Sequence, residues 1–260
     1  MNRRRFVQTA LAGGTVAGGQ MNTSRNQENS SYVVLGWFRC RRDFEVERLR
    51  DFLRDSTLPA LGRAGVKPVG VFEVTVGPDN PSILLVETYR SMVMLEETAN
   101  MLASDEKWMR EMKAFDDKWD LSYERGEASL LRTFKTFPGV EVPQVDSGNS
   151  NLFELRVYES RNRLALEKKI AMFEGGEISI FKRVGLNPVF FGRTVFGQRM
   201  PNLAYMVSFP SWAARAEAWA KFSQDQQWQV LSKAPGNTDR ELVSRISNQL
   251  MTPTPFSQIR

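Results

Sequence analysis

The stretch Ser104–Trp108 reads SDEKW, and Gln224–Trp228 reads QDQQW. Both carry Asp-x-x-Trp, and Trp108 and Trp228 stand 120 positions apart. Sliding the chain against itself by that interval aligns Gly65 with Gly185, Pro68 with Pro188 and Gly77 with Gly197. It also aligns Pro81 with Pro201, Ser91 with Ser211 and Asp105 with Asp225. These are turn, cap and anchor residues, the kind that sets where a chain bends. The interval predicts two related domains, 32–140 and 151–260, with a linker at 141–150, rather than a solenoid.

The same order of elements is legible in each copy. YVVLGWFR (32–39) and LFELRVYE (152–159) are β-rich runs. Asp43 and Asn162 stand where N-caps belong, before helices with apolar stripes at Val46, Leu49 and Leu53, and at Leu166, Ile170 and Phe173. Gly175-Gly176 is expected to stop the second of these. Two strands follow in each copy, 68–76 and 82–90, then 188–196 and 203–209, with Gly and Pro between them. Ser91 and Ser211 cap a further helix, whose second version buries Trp212, Ala216, Trp219 and Phe222. Asp105 and Asp225 cap a short helix carrying Trp108 and Trp228, and a last strand lies near 128–135 and 242–251.

This order, β-α-β-β-α-β, is the ferredoxin-like unit. Its helices cover one face of an antiparallel sheet and leave the other open, so two units can pack sheet to sheet within one chain. The predicted fold is therefore α+β: two tandem ferredoxin-like repeats forming an intramolecular barrel. Asp-x-x-Trp reads as structure, with Asp accepting backbone N–H bonds and Trp locking the helix onto the sheet.

Composition excludes several chemistries. The chain has 260 residues and no histidine, which removes Ser-His-Asp and Cys-His catalysis and His-ligated haem or zinc. Cys40, the only cysteine, aligns with Ser160 and reads as a small side chain at a strand end. Of the net charge of +5, residues 1–31 supply +3 (Arg3, Arg4, Arg5 and Arg25 against Glu28). The remainder is too nearly neutral to predict nucleic-acid binding. P-loop, dinucleotide and nucleophile-elbow motifs are absent from the sequence, as is calcium-loop spacing, and no metal or cofactor is expected.

Residues 2–19 read NRRRFVQTALAGGTVAGG. Arg3-Arg4 with Phe6 and Val7 resembles the twin-arginine export signal, and the apolar run behind it is too short and Gly-rich to span a bilayer. A polar linker follows to residue 31. The expectation is an exported, periplasmic protein with no stable membrane span once the signal is removed.

The second copy resembles the NIPSNAP family, in FELRVY (153–158), PVFFGRTVFG (188–197), SWAARAEAWAKFSQDQQW (211–228) and LMTPTPFSQIR (250–260). The first copy departs from it, with Val34, Gly36 and Phe38 where the second has Glu154, Arg156 and Tyr158. The resemblance implies the dimeric α/β-barrel architecture, which some cofactor-free monooxygenases and haem enzymes also use, and implies no activity.

Alternation along a strand puts Phe153, Leu155 and Val157 on one face and Glu154, Arg156 and Tyr158 on the other. The first set is expected beneath the helices and the second in the barrel lumen. Arg193, its counterpart Glu73, and mid-strand Tyr205 and Glu87 are expected to join that lumen. Such a group either fixes the register of the two sheets through ion pairs or binds a small polar or acidic molecule. The expected function is binding of a small molecule or a protein partner, with self-association through outer faces left open. The alternative is a cofactor-free oxygenase or isomerase with Tyr158 or Glu154 as acid or base.

Overall fold

The structure, a computed structural model, describes residues 31–117, 122–143 and 152–260. The arginine leader and most of the 141–150 linker lie outside the described residues. The first half runs β1 (Tyr32–Arg39), α1 (Asp43–Phe52), a π-helical turn (Leu53–Thr57), α2 (Leu58–Arg63), β2 (Val69–Val76), β3 (Ser82–Tyr89), α3 (Met92–Ser104), α4 (Glu106–Asp116) and β4 (Arg125–Thr133). The second runs β5 (Leu152–Ser160), α5 (Arg163–Met172), a π-helical turn (Phe173–Glu177), α6 (Ile178–Val184), β6 (Asn187–Phe196), β7 (Asn202–Phe209), α7 (Trp212–Gln224), α8 (Gln226–Lys233), α9 (Asp239–Leu242) and β8 (Val243–Pro253). The bounds of α1 and α5, the π turns, β3 and β7, and α3 and α7 differ by 120 at both ends. Among the described residues, no helix is long and apolar enough to cross a membrane.

Local chemistry starts most of these helices. The side chains of Ser91 and Ser211 accept from the amides of Met94 and Ala214, each at 3.1 Å. Asp105 and Asp225 accept from the amides of Trp108 and Trp228 at 2.9 and 3.0 Å, and Asn162 from that of Ala165 at 2.9 Å. Asp43 is a correction: it is the first helical residue, and Arg42 occupies the cap position with no side-chain bond. Buried Glu45 reaches back instead and accepts from the Arg41 amide at 2.7 Å. Gly175-Gly176 does not stop its helix either. The chain passes through the π-helical turn, with Gly176 non-helical at the kink, and continues into α6. On α7 the buried stripe is Ala218 and Phe222 with Trp219 packed beside them, while Trp212 is exposed. Trp219 and Phe222 are therefore as expected, while Ala216 is exposed like Trp212 and Ala218 takes its place in the stripe.

Eight strands close an antiparallel barrel in the order β1-β3-β2-β8-β5-β7-β6-β4. Each half contributes four adjacent strands, and two seams join the halves. β2 meets β8 through Phe72–Pro253 and Val74–Met251, and β4 meets β6 through Leu131–Thr194 and Thr133–Gly192. At the second seam a Cβ on Gly192 would come within 2.9 Å of the Leu131 Cβ, so glycine permits the approach.

The lumen carries a correction with consequences. Val33, Leu35, Phe72, Leu84, Phe153, Leu155, Phe190, Met206 and Met251 form one buried cluster drawn from both halves, with Val157 packed against it. Phe153, Leu155 and Val157 therefore line the lumen, and Glu154, Arg156 and Tyr158 face the helices. The two-residue alternation is as expected and its phase is inverted. Burial of apolar area drives the assembly, and the surface with no helix to cover it is the one that faces the other half, so the purely apolar set goes there. The C-terminal tail seals one end. The amides of Thr254 and Gln258 donate to the carbonyls of Val71 and Val69, each at 2.9 Å, and Ile259 is fully buried in the lumen cluster.

Candidate functional site

The six residues singled out in the sequence all face helices rather than the lumen, and the structure brings four of them together. Glu154 is wholly buried and receives five hydrogen bonds. Arg215 Nε and Nη2 donate at 2.8 and 3.0 Å, Trp219 Nε1 at 2.9 Å, Arg156 Nη1 at 3.0 Å and Asn248 Nδ2 at 3.1 Å. Burial alone would raise its pKa. The Arg215 hydrogen bonds, the Arg156 charge and the other donors outweigh burial and hold the carboxyl below its usual range. Arg156 lies 4.6 Å over the Trp219 ring and donates to the Tyr158 hydroxyl at 3.3 Å. Tyr205 donates to the same hydroxyl at 3.1 Å, and burial raises the Tyr205 pKa well above its ordinary value.

Glu73 and Arg193 lie elsewhere. Glu73 pairs with Arg50 of α1 at 3.0 Å, and Arg193 pairs with Glu167 of α5. These are two strand-to-helix bridges of opposite polarity from matching strand positions, reaching helix positions one turn apart. Glu87 faces the helices of the first half, where burial raises its pKa and the Tyr89 hydroxyl donates to it. Trp108 and Trp228, expected against the sheet, are half-buried on helix side chains. Trp108 stacks on Phe52 at 5.4 Å between ring centroids, and Trp228 on Phe222 at 4.5 Å.

A second buried ionic group adjoins the first. Lys169, with no exposure, reaches Asp239 at 3.2 Å and Glu177 at 3.6 Å. Its ammonium lies 5.3–5.5 Å over the rings of Tyr158, Phe173 and Trp228. Burial opposes its charge, but Glu177 and Asp239 raise its pKa. Burial pushes Glu177 up to about 7 against the pull of Lys169. Lys169, Glu177, Arg215, Trp219 and Asn248 were not picked out as partners in the sequence. Two signals were present: a lysine on the stripe Leu166, Ile170, Phe173, and Arg215 four residues before Trp219 on α7.

A carboxylate saturated by five donors has no lone pair free to take a proton, the Tyr205 phenol, its pKa raised by burial, stays neutral, and the Tyr158 hydroxyl is engaged by Arg156 and Tyr205. Arg156, Glu154, Tyr158 and Tyr205 therefore form a clamp holding α7 to the sheet, and acid–base work by Tyr158 or Glu154 in the lumen does not fit their positions.

Open space lies at the end of the barrel opposite the C-terminal tail. A cavity of about 70 Å³ has an apolar floor that includes Leu35, Leu131, Leu155, Val157 and Ala204. Its rim carries Arg39, held by Asp79 at 2.5 Å and Glu127 at 2.9 Å. Burial would raise the Glu127 pKa, but Gln198 and Arg39 hold it below the usual range, so it stays ionised. Asn202 Nδ2 ties down the neighbouring loop by donating to the carbonyls of Gln198 and Arg199 at 2.8 and 2.9 Å. Buried Cys40, whose pKa burial raises to about 11, is an inert thiol at the end of β1.

Three comparisons place the chain among known proteins. No curated protein matches it. A candidate monooxygenase from Fusobacterium nucleatum superposes with a TM-score of 0.57 at 6% identity, over 86% of this chain and 92% of its own. Another from Lactobacillus acidophilus gives 0.56 at 8% identity, over 86% and 94%. At such identities the likeness is one of fold, the α+β antiparallel barrel of dimeric α/β-barrel proteins. A NIPSNAP family protein from Agrobacterium tumefaciens is 25% identical over 42% of this chain and 99% of its own, with a TM-score of 0.38. Residues 153–258 match the model of the NIPSNAP family, and on that stretch, less than half of the chain and the part that holds Glu154, the family likeness rests.

Proposed function

We propose that this protein is a binding protein of NIPSNAP type that takes a small molecule into the open end of its barrel. The observation that carries this is the asymmetry of the lumen: Ile259 and large apolar side chains fill one end, and a cavity with an apolar floor and a polar rim lies at the other. In this reading the two halves, 32–140 and 151–260, are tandem ferredoxin-like copies, so that one chain supplies both sheets that a dimeric α/β barrel needs. Native mass spectrometry of the purified chain tests the binding role. We expect an adduct that Ala204→Leu, which fills the cavity floor, removes. An adduct retained by the variant, or none from either protein, overturns the reading.

The arginine leader is read as a twin-arginine signal that delivers the folded protein to the periplasm. Replacing Arg3 and Arg4 by Lys should hold the protein in the cytoplasm, and unchanged fractionation would remove this part of the proposal.

A further inference from the structure

The charges and hydrogen-bonding groups around the cavity narrow what it accepts. The charged side chains of its lining are Arg39, Arg199, Asp79 and Glu127, two of each sign. The Arg39 guanidinium already faces a carboxylate on each side, at 2.5 and 2.9 Å. An incoming carboxylate would have to compete with Asp79 and Glu127 for it. An incoming ammonium would find those same carboxylates engaged. Either charge would leave water for a floor of Leu35, Leu131, Leu155, Val157 and Ala204 without a free counter-ion there. Arg199 also belongs to the lining, but it is exposed at the rim, where it donates to Ser247 Oγ of the same lining at 3.2 Å and keeps its charge in water rather than on the apolar floor.

One wall residue is unsatisfied. Gln249 lines the cavity from β8, and its Oε1 is buried with no hydrogen-bond partner among the described residues. A primary amide can turn to present either its oxygen or its nitrogen, so a group that both donates and accepts suits it in either orientation. A hydroxyl is such a group.

We infer that the cavity binds a small uncharged molecule bearing a hydroxyl group, an alcohol or a phenol, with its apolar part on the Leu35–Leu155–Ala204 floor and its hydroxyl on Gln249. The inference rests on the binding reading given above and deepens it by naming the ligand class.

Butan-1-ol, butanoate and butylammonium share a chain and differ in charge. Each is titrated into the full chain while the methyl resonances of Leu35, Leu131, Leu155, Val157 and Ala204 are followed. The expected result is saturable shifts of these methyls with butan-1-ol, and binding at least about ten-fold weaker for both ions. In Gln249→Leu, the alcohol should bind about five-fold more weakly, the loss of one neutral hydrogen bond. Equal or tighter binding of either ion, or an unchanged alcohol affinity in Gln249→Leu, overturns the ligand class and leaves the cavity as a binding site. Lumen methyls that respond to none of the three overturn the binding reading itself.

Discussion

The two halves build the space between helices and sheet from the same elements and fill it with different chemistry. At six positions of this layer the first half has Val34, Phe38, Leu49, Leu53, Leu61 and Leu85, five of them aliphatic, with buried Glu45 and the helix-facing Glu87 placed elsewhere. At the matching places the second half has Glu154, Tyr158, Lys169, Phe173, Phe181 and Tyr205, which make an aromatic layer threaded by buried charges. An aliphatic layer needs only shape and tolerates small losses one at a time. A charged layer needs every partner, because a buried ion left alone costs more than its pair contributed. The layer that resembles the NIPSNAP family is the second, so its polar residues are explained first as the means by which one helical layer is fixed in place.

The comparison breaks most visibly at the clamp. Glu154→Gln removes the charge that faces Arg156 and Arg215, and should lower unfolding stability by about 3–5 kcal/mol. Val34→Ala, at the matching position, should cost roughly 1–2 kcal/mol as lost apolar packing. Urea unfolding of the two variants measures both, and equal losses would refute the contrast between the layers.

Next in size is a pH effect at Glu177 of the second half. Glu177 has a pKa raised by burial to about 7 from the ordinary 4.5. The folded state therefore binds a proton that the unfolded state releases, and the stability this group contributes is present below pH 4.5 and lost as pH rises through about 7. The loss should reach about 3 kcal/mol at most. Glu177→Gln should flatten this part of the pH profile, whereas the corresponding Thr57 carries no charge to titrate. A profile with the same slope in the variant would contradict the assignment.

Smaller still are effects that the halves should share. Trp108 and Trp228 are both half-buried on helix side chains, so each change to Ala should cost about 2 kcal/mol, below the value for a fully buried aromatic. Asp105 and Asp225 each cap a helix and each meet an arginine, Arg63 Nε at 2.9 Å and Arg183 Nη2 at 2.6 Å. Their Ala variants should lower the denaturation midpoint slightly and equally. A large loss from one alone would mean that the motif serves the two halves differently.

Much of this architecture was legible because it is written in local signals. Gly, Pro, Ser and Asp mark the turns and caps, and their coincidence at an offset of 120 gave the order and bounds of the elements. The orientation of β5 was not legible. Both of its faces are buried, so alternation separates Phe153, Leu155 and Val157 from Glu154, Arg156 and Tyr158 without saying which set meets the helices. The deciding residues, Arg215, Trp219 and Asn248, come from α7 and β8, distant in sequence. The cavity was invisible for the same reason, since its floor takes Leu35, Leu131, Leu155 and Ala204 from β1, β4, β5 and β7. Lys169 was the missed opportunity: a lysine within an apolar helical stripe needs a buried partner, and Glu177 lies two turns further along.

The central claim is that the second half's polar layer is a structural clamp and that binding belongs to the barrel's open end. Saturation-transfer NMR with butan-1-ol on the wild-type chain and on Arg156→Met and Ala204→Leu tests it most directly. The account predicts transfer in the wild type, transfer retained in Arg156→Met despite its lower stability, and transfer lost in a folded Ala204→Leu. Loss in Arg156→Met with retention in Ala204→Leu would place the binding site between the helices and the sheet and contradict the account.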